Sequence, residues 1–319
     1  MDSVLLRKTV IDIGTNTMLM LVAETTEDGI KPLTDVQRIP RLGKGIGSSN
    51  VISKDSIQKA AEILNEYKLI SNSYGSQYIK AVATSFLRDA SNKNEFINEI
   101  YKRTGIGVEL LNGDDESRWT YIGGVYDKIQ SSRKITLIDI GGGSTEITTA
   151  YITGIKLSEL TTIKPCGISL NIGSVRLKEK YFNQGNMKNS VQESIEMIRT
   201  MLKNVKFDLS GSMLVGVAGT ITTLAAIKSG LEKFNPHIID GTEISYNEIT
   251  ALIDMLSDIE YIKSINHRDY MQGRSDIILP GSLILGEFMN FFGFDRIRVS
   301  TKGLRYGIML REMLTHSSV

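Results

Sequence analysis

Two stretches of the chain read as copies of one another. Val10-Ile11-Asp12-Ile13-Gly14-Thr15-Asn16-Thr17 leads into the apolar run Met18 to Ala23. Leu137-Ile138-Asp139-Ile140-Gly141-Gly142-Gly143-Ser144-Thr145 leads into Glu146 to Ile152. Each is an apolar strand ending in Asp-Ile-Gly, a short Gly/Ser/Thr/Asn turn and a second strand. The spacing from Asp12 to Asp139 is that of a domain, not the roughly 20–50 residues of a solenoid repeat. Two similar domains facing each other would set both turns across one cleft. A length of 319 residues agrees, being more than one hydrophobic core usually serves.

Strand and helix patterns alternate between and beyond the copies. Asp55 to Ile70 carries Ile57, Ala61, Leu64 and Tyr67 on one helical face, and Tyr78 to Ala83 reads as a buried strand. Asn92 to Arg103 reads as a helix ended by Gly105. A short strand Val108 to Leu111 follows, then a helix from Asp114 with Trp119, Ile122 and Tyr126 inward. The second half repeats the scheme: an amphipathic helix from Val191 to Val205, another from Ile249 to Leu256, a strand Arg296 to Val299 and a closing helix through Tyr306, Leu310 and Met313. This alternation predicts an α/β class with covered sheets. The boundary is expected near Tyr126 to Arg133, giving domains of residues 1–128, plus a closing helix at 303–319, and 129–302.

Composition narrows the function. With 37 basic and 36 acidic residues the net charge is +1, so no surface is set up to coat nucleic acid or an anionic membrane. The longest uncharged run, Leu209 to Ile227, contains Gly211, Gly216 and Gly219 and reads as strand, turn and helix start, not as a membrane span. A single cysteine, Cys166, points to a reducing cytoplasm and is expected to be a small buried apolar residue. The three histidines lie too far apart to suggest a metal cage.

The chemistry-bearing residues cluster at the turns. Gly14 with Thr15, Asn16 and Thr17, and Gly141, Gly142 and Gly143 with Ser144 and Thr145, supply backbone amides and hydroxyls suited to phosphate. Asp139 ends a strand at the mouth of its turn and Glu146 opens the next, so a hairpin brings both to one rim. Such hard oxygen ligands suit Mg2+ or Mn2+. Asp12 stands equivalently in the first turn. In Asn112-Gly113-Asp114-Asp115-Glu116, Asp114 and Asp115 read as helix-cap and dipole residues, and Glu116 as a base that orients water. Arg88, Arg41, Lys44 and Arg274 are candidate phosphate cations. Gly219-Thr220 begins a strand-to-helix element that could take a nucleoside or another phosphate, or serve close packing.

These segments, with Arg41-Leu42-Gly43, Ala81 to Ser85, Gly173 to Leu177, Arg274-Ser275-Asp276 and Ser300 to Gly307, resemble in order the exopolyphosphatase / guanosine pentaphosphate phosphohydrolase family of the actin-like and sugar-kinase-like superfamily. The resemblance implies two ribonuclease-H-like domains with an interdomain cleft and a closing helix returning to the first. It implies Glu116 as general base or water-positioning residue, Asp139 and Glu146 at a Mg2+ site, and Arg88, Asn16 and the Gly141 to Thr145 amides on substrate phosphates. Many relatives carry an arginine where Leu19 stands, which favours inorganic polyphosphate over a guanosine alarmone. The chain resembles the short two-domain form, without the helical histidine–aspartate-type module of longer relatives, so short or medium polyphosphates are the expected substrates. A kinase or ATPase and a non-catalytic polyphosphate sensor are the competing readings, and a homodimer remains open.

Overall fold

A computed structural model describes residues 6–26, 29–43, 50–76, 78–128, 133–152, 159, 162–182 and 186–316. The copied segments form copied hairpins. β1 (Leu6–Ile13) and β2 (Met18–Thr26) pair antiparallel with Asp12 opposite Leu19 and Ile13 opposite Met18. The Gly14 amide closes the turn onto Thr17 O at 2.9 Å. β6 (Arg133–Ile140) and β7 (Thr145–Ile152) repeat this, with Asp139 opposite Glu146 and the Gly141 amide on Ser144 O at 3.0 Å.

In the first unit the hairpin is extended antiparallel by β3 (Gly29–Arg38). Helix α1 (Lys54–Ser73), N-capped by Ser53, leads to β4 (Tyr78–Ala83), parallel to β1. Then come α2 (Ser85–Asp89), α3 (Lys93–Thr104), β5 (Val108–Leu110) parallel to β4, and α4 (Gly113–Val125). Gly105 ends α3 in the left-handed conformation, φ 72°, where a side chain would be strained. The sheet order is β3-β2-β1-β4-β5.

The second unit adds β8 (Cys166–Leu170) to its hairpin, then α5 (Ser174–Tyr181), α6 (Met187–Leu202), β9 (Met213–Val217) and α7 (Ala218–Lys228). α8 (Pro236–Ile239), β10 (Glu243–Ser245), α9 (Tyr246–Ser257), α10 (Ile259–Ile265), α11 (Ile278–Phe292) and β11 (Arg296–Val299) follow. The order β10-β11-β9-β6-β7-β8 repeats the first sheet with the short β10 added at one edge. Both units thus have the ribonuclease-H-like order of the actin-like superfamily. Each has its own apolar core, one around Ile11, Met20, Leu64 and Phe96, the other around Ile138, Leu224, Leu285 and Phe288. By contacts the first unit comprises residues 1–126, 155–163 and 303–319, and the second the remainder. Among the described residues no helix is long and apolar enough to cross a membrane.

Cys166 corrects an expectation: it is exposed, because it opens the edge strand β8, whose side chains are mostly uncovered. The cap of α4 is Asn112, which accepts the Asp115 amide at 2.8 Å, so the acids occupy the first turn but do not cap it.

α12 (Leu304–His316) belongs to the first unit and packs on α4 backbone to backbone. A β-carbon on Gly307 would fall 1.8 Å from Trp119 O, and one on Gly123 would fall 2.2 Å from Gly303 O. Neither obstacle is a side chain that can swing away. Gly307→Ala is therefore expected to lower stability by about 3 kcal/mol or more, read as a reduced urea midpoint at wild-type slope.

Candidate active site

The parallel strands of the first unit end level with one another, Ile13 beside Ala83 and Ala83 beside Leu110. The segments leaving these carboxyl ends carry the candidate residues, as ligand sites of open α/β sheets do. In the first hairpin, Thr15 O accepts from Gly43 N at 2.8 Å, Asn16 O from Arg41 N at 3.1 Å and Thr17 O from Gly14 N. The carbonyls are thus engaged from behind. The amides of Thr15, Asn16 and Thr17 have no acceptor among the described residues, which leaves three consecutive donors. Arg41 contributes here through its backbone, held left-handed at φ 56°. Lys44 lies outside the described residues.

Thr15 Oγ1 lies 3.4 Å from Ser85 Oγ at the start of α2, and α2 presents Arg88. Arg88 Nη1 donates to Leu111 O at 3.2 Å and is ion-paired with Glu116 in the first turn of α4. Both side chains are mostly covered. The two sequence candidates therefore meet, while Asp115 is engaged by Asn112 Nδ2 at 2.7 Å and Asp114 is exposed.

Asp12 keeps part of its surface open, yet burial pushes its carboxyl up to about 6, against the opposing pull of Arg305 on α12. Arg305 is itself fixed by Asp35 on β3, with Nε and Nη2 on the carboxylate at 2.9 and 2.7 Å. The sequence reading passed over both. Asp35 sits on a strand without clear alternation, and Arg305 meets it only across a long chain separation.

In the second unit the loop carbonyls are engaged by α5. Gly141 O accepts from Ser174 N at 2.9 Å, Gly142 O from Val175 N at 2.9 Å and Arg176 N at 3.1 Å, and Gly143 O from Arg176 Nε at 2.9 Å. The amides of Gly142, Gly143 and Ser144 again have no acceptor among the described residues. Gly173 is needed for this contact, since a β-carbon there would lie 2.5 Å from the Gly142 carbonyl. Thr145 is differently employed: its hydroxyl is buried and donates to Ile172 O at 2.6 Å.

Asp139 and Glu146 are directly opposed across β6 and β7, so both carboxylates stand on one face. Glu146 is 5% exposed and accepts from Ser169 Oγ at 2.7 Å. Among the described residues no group of three or more His, Cys, Asp or Glu could hold a metal ion. Two opposed carboxylates nevertheless fit Mg2+ or Mn2+, since Mg2+ takes one or two carboxylates and completes its shell with water and phosphate oxygen.

β9 ends beside β6, Val217 opposite Asp139, and α7 starts there without a side-chain cap. Ala218 is held at φ 69°, a strained value for a residue with a β-carbon. Arg274 lies on Gly219 so closely that a β-carbon would fall 1.5 Å from its Nη1. Arg274 is 7% exposed; its side chain makes no hydrogen bond or ion pair with a described residue, and burial pushes the guanidinium down to about 10. Thr220 turns instead to packing, its hydroxyl 2.5 Å from where a β-carbon on Gly281 would stand.

Residues 21–316 match the model of the Ppx/GppA phosphatase family. The chain belongs to that family. Among similar proteins, the bifunctional 3-dehydroquinate synthase/phosphatase of Fusobacterium nucleatum is 30% identical over 318 residues, covering 94% of this chain and 46% of that protein. Exopolyphosphatase 1 of Mycobacterium tuberculosis is 25% identical over 317 residues, covering 97% of this chain and 88% of that one. A crystal structure of the Aquifex aeolicus Ppx/GppA family member superposes with a TM-score of 0.80 at 28% identity, covering 99% of this chain and 100% of that one.

Asp12 gives a pH prediction. Its folded carboxyl binds a proton more tightly than the unfolded one, at about 6 against 3.8. Its contribution to stability therefore falls as pH rises from about 4 to about 6. In metal-free buffer, Asp12→Asn is expected to be more stable than wild type at pH 8, on the order of 2 kcal/mol. The two urea midpoints should converge by pH 4.

Proposed function

We propose that this phosphatase-family chain is an exopolyphosphatase-type phosphoanhydride hydrolase, releasing terminal orthophosphate from inorganic polyphosphate by attack of water. The observation that carries the reading is the Arg88–Glu116 pair at the carboxyl edge of the first sheet, next to a hairpin whose Thr15 to Thr17 amides have no acceptor among the described residues.

In the first unit, the amides of Thr15 to Thr17 and the Asn16 side chain bind nonbridging phosphate oxygens. Arg88 is shared between Glu116 and incoming phosphate, so it both orients the carboxylate and offsets substrate charge. Glu116 accepts a hydrogen bond from the attacking water and then its proton. The new P–O bond forms as the bond to the leaving phosphate breaks, and the shortened chain departs. In the second unit, the amides of Gly142 to Ser144 and the buried Arg274 over the start of α7 provide anion seats of that unit's own. A Mg2+ or Mn2+ ion on Asp139 and Glu146 would neutralise phosphate charge and polarise the phosphoryl oxygens. Catalysis of this kind is positioning and charge stabilisation, with little covalent work for the protein. One unpaired cysteine suits a cytoplasmic setting.

Glu116→Gln is expected to keep substrate affinity within a few-fold while lowering phosphate release about 100-fold or more. Unchanged release would remove Glu116 from the mechanism. Phosphate release from polyphosphates of graded length and from guanosine pentaphosphate, with and without Mg2+, decides the substrate. Polyphosphate is expected to be the better one because Leu19 offers no charge opposite Asp12, and a preference for the alarmone would reverse that order.

A further inference from the structure

Asp139, Glu146 and Ser169 stand in one row across three adjacent strands, Asp139 paired with Glu146 and Glu146 with Ser169. Directly paired residues project to the same face of a sheet, so the two carboxylates are followed by a hydroxyl. Ser169 is exposed on the edge strand β8, yet its Oγ donates to Oε1 of the covered Glu146 at 2.7 Å. An exposed serine has water at hand; this one is committed to a carboxylate.

We propose that Ser169 is a positioning residue for the divalent-cation site, orienting the Glu146 carboxylate through this hydrogen bond. The inference rests on the reading of Asp139 and Glu146 as cation ligands. The terminal torsion of a glutamate is broad, so its carboxylate plane is poorly fixed by its own rotamer preference. A donor on Oε1 sets that plane, and partners of this kind typically change metal affinity 10–100-fold. The hydroxyl comes from an edge strand, where it can be replaced without disturbing a buried sheet. Threonine at this place keeps the donor and suits a strand.

The decisive measurement is Mn2+ binding to the full chain without substrate, followed by electron paramagnetic resonance. Ser169→Ala is expected to raise the Mn2+ Kd about tenfold, and Ser169→Thr to restore it to within about twofold. In a Glu146→Gln background, Ser169→Ala should add nothing, because the hydroxyl acts through that carboxylate. At limiting Mn2+, phosphate release by Ser169→Ala should fall in step with the loss of Mn2+ affinity. Circular dichroism and the urea midpoint confirm that the variants fold. Unchanged Mn2+ affinity in Ser169→Ala overturns the inference, as does the same loss with and without Glu146, or a wild-type chain whose Mn2+ binding does not depend on Glu146. A wild-type chain that binds Mn2+ through Glu146 but hydrolyses no phosphoanhydride would sink the proposed function and leave the role of Ser169 standing.

Discussion

The arrangement depends on how the two turns dispose of their carbonyl groups. A peptide unit has a donor on one side and an acceptor on the other, so engaging consecutive carbonyls from behind presents the amides in front. In the first unit the segment through Arg41 and Gly43 does this, and in the second the first turn of α5. The donors are therefore fixed before any anion arrives, with no reorganisation left for binding. Gly43 and Gly173 permit the close approach, since a β-carbon at either would meet Thr15 Cγ2 at 2.3 Å or the Gly142 carbonyl at 2.5 Å.

Charge is distributed around these turns with different degrees of compensation. Glu116 has Arg88, and Glu109 near the far end of α12 has both Arg311 and Lys80. The Arg311 hydrogen bonds, with Lys80 beside them, hold the Glu109 carboxyl below its usual range. Asp12 has only a share of Arg305, whose guanidinium is turned to Asp35, and burial prevails. Arg274 is the reverse case, a buried cation without a described partner. Structural ion pairs satisfy themselves; Asp12, near the end of β1, and Arg274, which lies against Gly219 just past β9, do not.

The sequence made the α/β class and the repeated hairpins legible because their strands are apolar, short and bounded by Gly-rich turns. Tyr78–Ala83 and Arg296–Val299 were equally readable. β3 was not, since Lys31, Pro32 and its mostly exposed side chains give no apolar alternation. α11 was missed for the opposite reason: it is apolar nearly all round and therefore has no period. Cys166 was misread because burial was inferred from residue type, without knowing that its strand lies at an edge. Glu116, Arg88, Asp139 and Glu146 could be named one by one. That Arg88 grips Glu116, Ser169 touches Glu146 and Arg305 clasps Asp35 could not, because sheet order creates those pairings.

The duplication is imperfect at one register position. Opposite Asp139 stands Glu146, and opposite Asp12 stands Leu19, although both turns close with the same hydrogen bond. Two near-identical backbones are thereby given unlike electric characters: one concentrates negative charge beside its amides, and the other sets a solitary acid against hydrocarbon. A repeated scaffold can thus divide its labour through a single side chain, with the inherited main chain left untouched.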